Sequence, residues 1–173
     1  MRLSPEEYRL VLAFFEKAVE AEPNRWSYWC DIGFCLGKLG QWREAAAALE
    51  RIAEQVEVSA KVLSMLGHAY LRLERYPEAE AVLARAHALA PDNLNVLYKI
   101  ALVRFHRGEF ALALPPLEQV IRHRPRHAKA HYNLGLIYHR LGEGESVTRQ
   151  LAIIRELDQA LADRLAEAIR DGE

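Results

Sequence analysis

Two cysteines, five positions apart, are all that the 173 residues contain. That is too few for a disulfide framework, and the expected compartment is reducing and cytosolic (cytoplasmic). No window approaches ~18 uncharged apolar residues, so no membrane span is expected. The opening MRLSPEEYRL lacks an apolar core and places Glu6 and Glu7 early, so it reads as neither a secretory nor an organelle-targeting segment. Neither sign of charge dominates. Twenty-three basic and 24 acidic residues give a formal charge of −1, and nothing global argues for nucleic acid or an anionic membrane. A glycine-rich phosphate loop and a Gly-x-Ser-x-Gly motif are both missing, and no carboxylate pair stands apart from a solvated helix face. An enzyme is not expected, nor is a cofactor or a bound metal.

What the chain has instead is repetition. Gly33, Gly67, Ala101 and Gly135 are spaced by 34 residues. In blocks that start at Trp26, Ala60, Leu94 and Ala128, the fourth position is Trp29, Leu63, Leu97 and His131. The seventh is Ile32, Leu66, Ile100 and Leu134, and the eleventh is Leu36, Tyr70, Arg104 and Tyr138. The seventeenth is Trp42, Tyr76, Phe110 and Gly144; the twentieth is Ala45, Ala79, Ala113 and Val147; the twenty-fourth is Leu49, Leu83, Leu117 and Leu151. Positions 4, 7, 8 and 11 share one helical face, and so do 17, 20, 24 and 27. Gly40, Gly108 and Gly142 mark the turn between the two helices, and Pro23, Pro91 and Pro125 close units. Each unit is a helical hairpin that cannot bury its face alone.

These residues resemble the tetratricopeptide repeat (TPR) family, and "AKVLSMLGHAYLRLERYPEAEAVLARAHALAPDN" follows that pattern almost position by position. The resemblance runs from about residue 5 to about residue 158. It implies an all-α, right-handed solenoid of antiparallel helix pairs, with the first helix of each pair lining a concave groove. The expected organisation is a single domain over 1–173. It comprises a lone half-repeat helix at 5–22, repeats at 26–59, 60–93, 94–127 and 128–159, and a cap helix at 160–171. Ser4-Pro5-Glu6-Glu7 is the first helix start. Leu161, Leu165, Ala168 and Ile169 are the inward residues of the cap. Pro115-Pro116 predicts a kink or restart inside the second helix of unit three. Gly144 and Val147 predict loose packing in unit four and mobility at that end.

The chemical candidates are few. Cys30 and Cys35 point about 140° apart on a helix and cannot pair. Cys35 is expected in the core and Cys30 in the groove, with no visible base to activate it. His123, His127 and His131 tempt a metal reading, but Pro125 breaks the helix between the first two, and His131 should pack inward. Trp26 and Tyr28 have no assigned place beyond packing on the preceding helix.

By the resemblance, positions 2, 5, 6, 9, 12 and 13 face the groove. Ser27, Cys30, Asp31, Phe34, Gly37 and Lys38 come from unit one, and Lys61, Ser64, Met65, His68, Leu71 and Arg72 from unit two. Unit three supplies Asn95, Tyr98, Lys99, Leu102, Phe105 and His106, and unit four Lys129, Tyr132, Asn133, Leu136, His139 and Arg140. This set carries a net +5, while the remainder carries −6, and it holds four of the five lysines. Phe34, Met65, Tyr98, Leu102, Phe105, Tyr132 and Leu136 would be open if nothing covered them. Apolar pockets ringed by Lys, His and Asn suit an acidic peptide or helix with apolar anchors. The family's carboxylate-clamp subtype is not expected, because only Lys129 matches its pattern.

The function expected is therefore a non-enzymatic protein–protein adaptor with a protein or peptide partner, without nucleic acid and without membrane insertion. One alternative is self-assembly as a homo-oligomer through the N-terminal helix, where Leu10 and Phe14 lie on the flank that a missing first helix would cover. Another is a small TPR secretion chaperone.

Overall fold

The computed structural model describes residues 3–55 and 58–172. Residues 56 and 57 of the expected first repeat, and the terminal residues 1, 2 and 173, lie outside the described residues. All the secondary structure described is helical. The elements are α1 (Pro5–Ala21), α2 (Trp26–Lys38), α3 (Trp42–Ala53), α4 (Ala60–Arg72), α5 (Tyr76–Leu89), α6 (Leu94–His106), α7 (Phe110–His123), α8 (Ala128–Arg140), α9 (Gly144–Leu157) and α10 (Gln159–Asp171). First helices begin at 26, 60, 94 and 128, and second helices at 42, 76, 110 and 144. The 34-residue register of the sequence is thus the register of the backbone. The chain forms two compact units, Met1–Asp92 and Asn93–Glu173.

In the first unit, α1 starts on a capping box. Glu7 N–H donates to Ser4 Oγ at 3.2 Å, and Ser4 N–H donates to the Glu7 carboxylate at 2.6 Å. The hairpins α2–α3 and α4–α5 close through glycines. A Cβ on Gly33 would lie 2.5 Å from Leu49 Cγ, and one on Gly67 would lie 2.5 Å from Leu83 Cγ. Leu49 and Leu83 are 1% and 0% exposed, so the leucine at position 24 fills the space left by the glycine at position 8. Trp29 is held from both sides: its Nε1–H donates to Pro23 O at 3.1 Å and the Arg51 guanidinium lies 4.2 Å over its ring. Tyr28 packs on α1, with its ring centroid 5.8 Å from that of Phe15.

The hairpin turn requires a left-handed residue at position 15. Gly40, Gly108 and Gly142 take it with φ of 75–77°, whereas unit two places Glu74 there with φ 59°. A side chain costs about 1–2 kcal/mol in that region, less what glycine loses in chain entropy. Glu74→Gly is therefore expected to raise the unfolding free energy by about 0.5–1 kcal/mol, checked by chemical denaturation.

In the second unit, Leu97, Ala101, Ala113, Leu117, Val120, Ala130, Leu134 and Ile137 form one core. The expected restart at Pro115-Pro116 does not occur, and α7 runs unbroken from Phe110 to His123. Pro116 has no N–H for the carbonyl of Leu112. That carbonyl instead accepts a 2.9 Å hydrogen bond from Arg104 Nη1 on α6. Arg104 stands where units one, two and four have Leu36, Tyr70 and Tyr138, so the unusual residue at position 11 serves the carbonyl that Pro116 leaves without a donor.

The loose packing expected in unit four is taken up by α10. A Cβ on Gly135 would lie 2.5 Å from Leu165 Cδ2, so a leucine of α10 closes on this glycine. Leu161, Ala162 and Leu165 are buried with Ile154, while Ala168 and Ile169 are half-buried. His131 packs inward at 4% exposure; its Nε2–H donates to Pro125 O at 2.8 Å and its Nδ1 pairs with the Gln150 side-chain amide at 2.7 Å. That bond repeats the one from Trp29 to Pro23, one repeat position serving two different rings.

Candidate functional site

The first-helix face of the first unit is built by α2 and α4. Phe34 is 39% exposed, with the Tyr8 ring of α1 edge-on at 6.1 Å and Lys38 Nζ 5.2 Å over its own ring. Lys38, Lys61 and Arg72 are exposed, and Met65 and His68 are half-buried. Ser64 and Leu71 are buried and do not line an open surface. Trp42, read from sequence as core, is half-buried and reaches this face. His68 meets it edge-on at 5.1 Å, the Arg72 guanidinium lies 4.9 Å over it, and a Cβ on Gly37 would be 3.5 Å from its ring. The 34-residue pattern hides this, because position 17 is interior by register and only the reach of an indole carries it outward.

A cleft of about 450 Å³ opens between α2, the end of α3 and the start of α4. Cys30, Asp31, Lys61, Ile52, Val58 and Val62 line it, together with Trp26, which is 43% exposed. Trp26 therefore lines an opening. Cys35 is 2% exposed, in the core as expected. Burial pushes the Cys30 thiol up; the Lys61 charge opposes that shift and Asp31 adds to it. A thiol so placed is a poor nucleophile at neutral pH.

The corresponding face of the second unit is built by α6 and α8. Tyr98 is half-buried, its ring 5.1 Å from His127. Its hydroxyl accepts a 2.9 Å hydrogen bond from Asn133 Nδ2, which also reaches Lys129 O at 2.8 Å. Asn133 is buried, so it positions Tyr98 and offers little surface of its own. Lys99 is half-buried, and burial lowers its ammonium to a pKa of about 8. Leu102 and Phe105 are half-buried, with Phe105 5.7 Å from Phe110 and 5.4 Å from His106. Asn95, His106, Lys129 and Arg140 are exposed and His139 is half-buried. Tyr132 and Leu136 pack against the α10 cluster, and Arg164 of α10 lies 5.8 Å over the Tyr132 ring. Of the seven apolar residues expected to be open, only Phe34 is exposed; the rest are half-buried. Two residues that sequence reasoning left out join this face: Arg124, whose Nη1 donates to Asn95 Oδ1 at 3.1 Å, and His127, which caps α8 by accepting from Ala130 N–H.

Among the described residues, no group of three His, Cys, Asp or Glu side chains could hold a metal ion. No helix among them is long and apolar enough to cross a membrane.

Two tetratricopeptide repeat family models match the chain, one over residues 31–56 and the other over 58–126. Anaphase-promoting complex subunit 3 of Schizosaccharomyces pombe is 25% identical over 166 residues, which cover 96% of this chain and 25% of that protein. The chain thus spans about a quarter of the length of that relative. Among solved structures, YrrB, described as a TPR protein with an unusual peptide-binding site, superposes with a TM-score of 0.78 at 23% identity, covering 94% of this chain and 84% of the other. MamA superposes with a TM-score of 0.78 at 22% identity, covering 94% and 99%.

Proposed function

Because the chain belongs to the tetratricopeptide repeat family, whose members mediate protein–protein interaction, we propose that it is a non-enzymatic adaptor. It binds a partner segment that combines acidic residues with apolar anchors. The observation that carries this reading is the make-up of the first-helix faces. Lys38, Lys61, Lys99 and Lys129 stand among half-buried rings and aliphatic chains, and Asp31 is the single opposing carboxylate at those positions. Cations at such a rim speed encounter and orient an anionic segment, while the partly covered rings supply contact area at little entropic cost. The peptide-binding site of YrrB, on a similar backbone, is consistent with this use of the fold. The reduced acidity of Cys30 argues against a thiol enzyme.

Titration of a library of acidic–apolar peptides tests it. Reversing the charge at Lys61, Lys99 and Lys129 to glutamate is expected to weaken binding roughly tenfold or more, with the wild-type affinity falling as salt is added. Equal binding by both proteins would remove the electrostatic part of the reading.

Self-assembly is a second reading with its own observation. Leu10 and Phe14 on α1 are 73% and 66% exposed, a turn apart on one flank. Sedimentation across a concentration series decides it: a monomer at every concentration, unaltered by Phe14→Glu, counts against assembly through α1.

A further inference from the structure

Between Glu118 and Glu143 the chain has no acidic residue, while Arg122, Arg124, Arg126, Lys129 and Arg140 supply five fixed cations. Since the whole chain carries −1, everything outside this stretch carries −6. Three of the five gather where α7 gives way to α8. Arg124 is the C-cap of α7, Arg126 lies in the turn, and Lys129 stands in the first turn of α8. All three are exposed, and among the described residues none is paired with a carboxylate.

The helix dipole accounts for only part of this. Arg122, His123 and Arg124 complement the C-terminal end of α7. Lys129 and Arg126 do the opposite, because they crowd the positive N-terminal end of α8, where Asp or Glu is favoured. His127, seated against Tyr98 between them, feels the result. Beyond its burial, the charges of Arg124, Lys129 and His131 all oppose its protonation. The Arg124 guanidinium is also held in place by Asn95 of α6, so the corner is partly preorganised.

We propose that this corner is the docking point for a run of carboxylates in a partner protein, an Asp/Glu-rich segment laid across Arg124, Arg126 and Lys129. The inference rests on the peptide-binding reading above and adds where the acidic part of the segment sits. Guanidinium forks match carboxylates in geometry. A long polyanion such as nucleic acid fits less well, because the patch is short and the remainder of the chain is negative. The nearest ring, Tyr98, is half-buried on His127 with its hydroxyl engaged, so it offers no stacking platform for bases.

Fluorescence anisotropy on the full chain at near-physiological salt tests the corner with three labelled probes. One is a peptide of consecutive glutamates followed by Gly-Ser. The second has the same glutamates followed by Leu and Phe. The third is single-stranded DNA of similar length. Joint Arg124→Glu, Arg126→Glu and Lys129→Glu substitution is expected to weaken the glutamate/Gly-Ser probe roughly thirtyfold. Arg126→Gln with Lys129→Gln, which leaves the Arg124–Asn95 bond intact, is expected to weaken it about fivefold. Equal binding of this probe by wild type and both variants overturns the proposal, as does tighter binding of the DNA. If the apolar-tailed probe binds, responds to charge reversal at Lys61 and Lys99 and ignores the corner, the groove reading stands and the corner fails. If no peptide binds, both fail.

Discussion

Alanine at Gly67 lowers the free energy of unfolding by about 2 kcal/mol, and joining it with Leu83→Ala costs less than the sum of the two single changes. The added methyl would sit 2.5 Å from Leu83 Cγ and 2.7 Å from Cδ2, inside any tolerable contact. Leu83 is fully buried and has no open side toward which to retreat. Leu83→Ala alone removes a buried leucine and costs about 3 kcal/mol through lost burial and the cavity left behind. In Gly67→Ala/Leu83→Ala the new methyl occupies part of that cavity, so the two costs do not add; a coupling of about 1–2 kcal/mol is expected. Chemical denaturation of the four proteins measures it. Ala101 shows that alanine is compatible with this position when the neighbours are arranged for it, since Ala101, Ala113 and Leu117 are all fully buried in the second unit.

Lys99→Met stabilises the protein at neutral pH, and the gain shrinks as the pH rises. Burial lowers the Lys99 ammonium to about 8 from its ordinary value of 10.5, so the unfolded chain holds this proton more tightly than the folded one. Below about pH 8 both states carry the charge and the folded state bears the full desolvation cost, on the order of 2–3 kcal/mol. Between about 8 and 10.5 the folded protein has released the proton while the unfolded chain keeps it, so this contribution to stability improves with pH. The difference between wild type and Lys99→Met isolates the effect from tyrosines that titrate nearby. It should be largest at pH 7 and fade across that window, and a difference independent of pH would refute the assignment. The same residue predicts proton uptake when an acidic peptide binds near pH 8.5, because a carboxylate partner restores the charged form. Calorimetry in buffers of different ionisation enthalpy reads that uptake directly.

Both predictions bear on how much the sequence alone disclosed. The hairpin starts were legible to the residue, because Gly33, Gly67, Ala101 and Gly135 and the leucines at position 24 recur at 34, and a helix period turns such spacing into a face. The close approach at Gly67 follows from the same pattern. The state of Lys99 does not. Its position places it on the same face of α6 as Asn95 and Leu102, but its half-burial depends on the packing around that face. Tyr98 shows the same limit, because the residues that cover it, His127 and Asn133, come from α8 and the turn before it. Tyr132 and Leu136 are half-covered by α10, which lies outside the repeat register altogether. Pro115-Pro116 reads as a break in any single-helix view; the helix continues, and Arg104, on another helix, donates to the Leu112 carbonyl that Pro116 leaves without a donor.

The sequence by itself determined the repeat, the hairpins, the helix faces and the segregation of charge, because these depend on spacing along one chain and on local backbone sterics. Only the tertiary structure decided which of those side chains remain open to a partner. It placed Trp42 beside His68 and Arg72, packed Tyr132 against the buried cluster of α9 and α10, and tied Arg124 to Asn95 of α6. Exposure and desolvation are properties of neighbours brought together from distant parts of the chain, and a period of 34 residues carries no information about those neighbours.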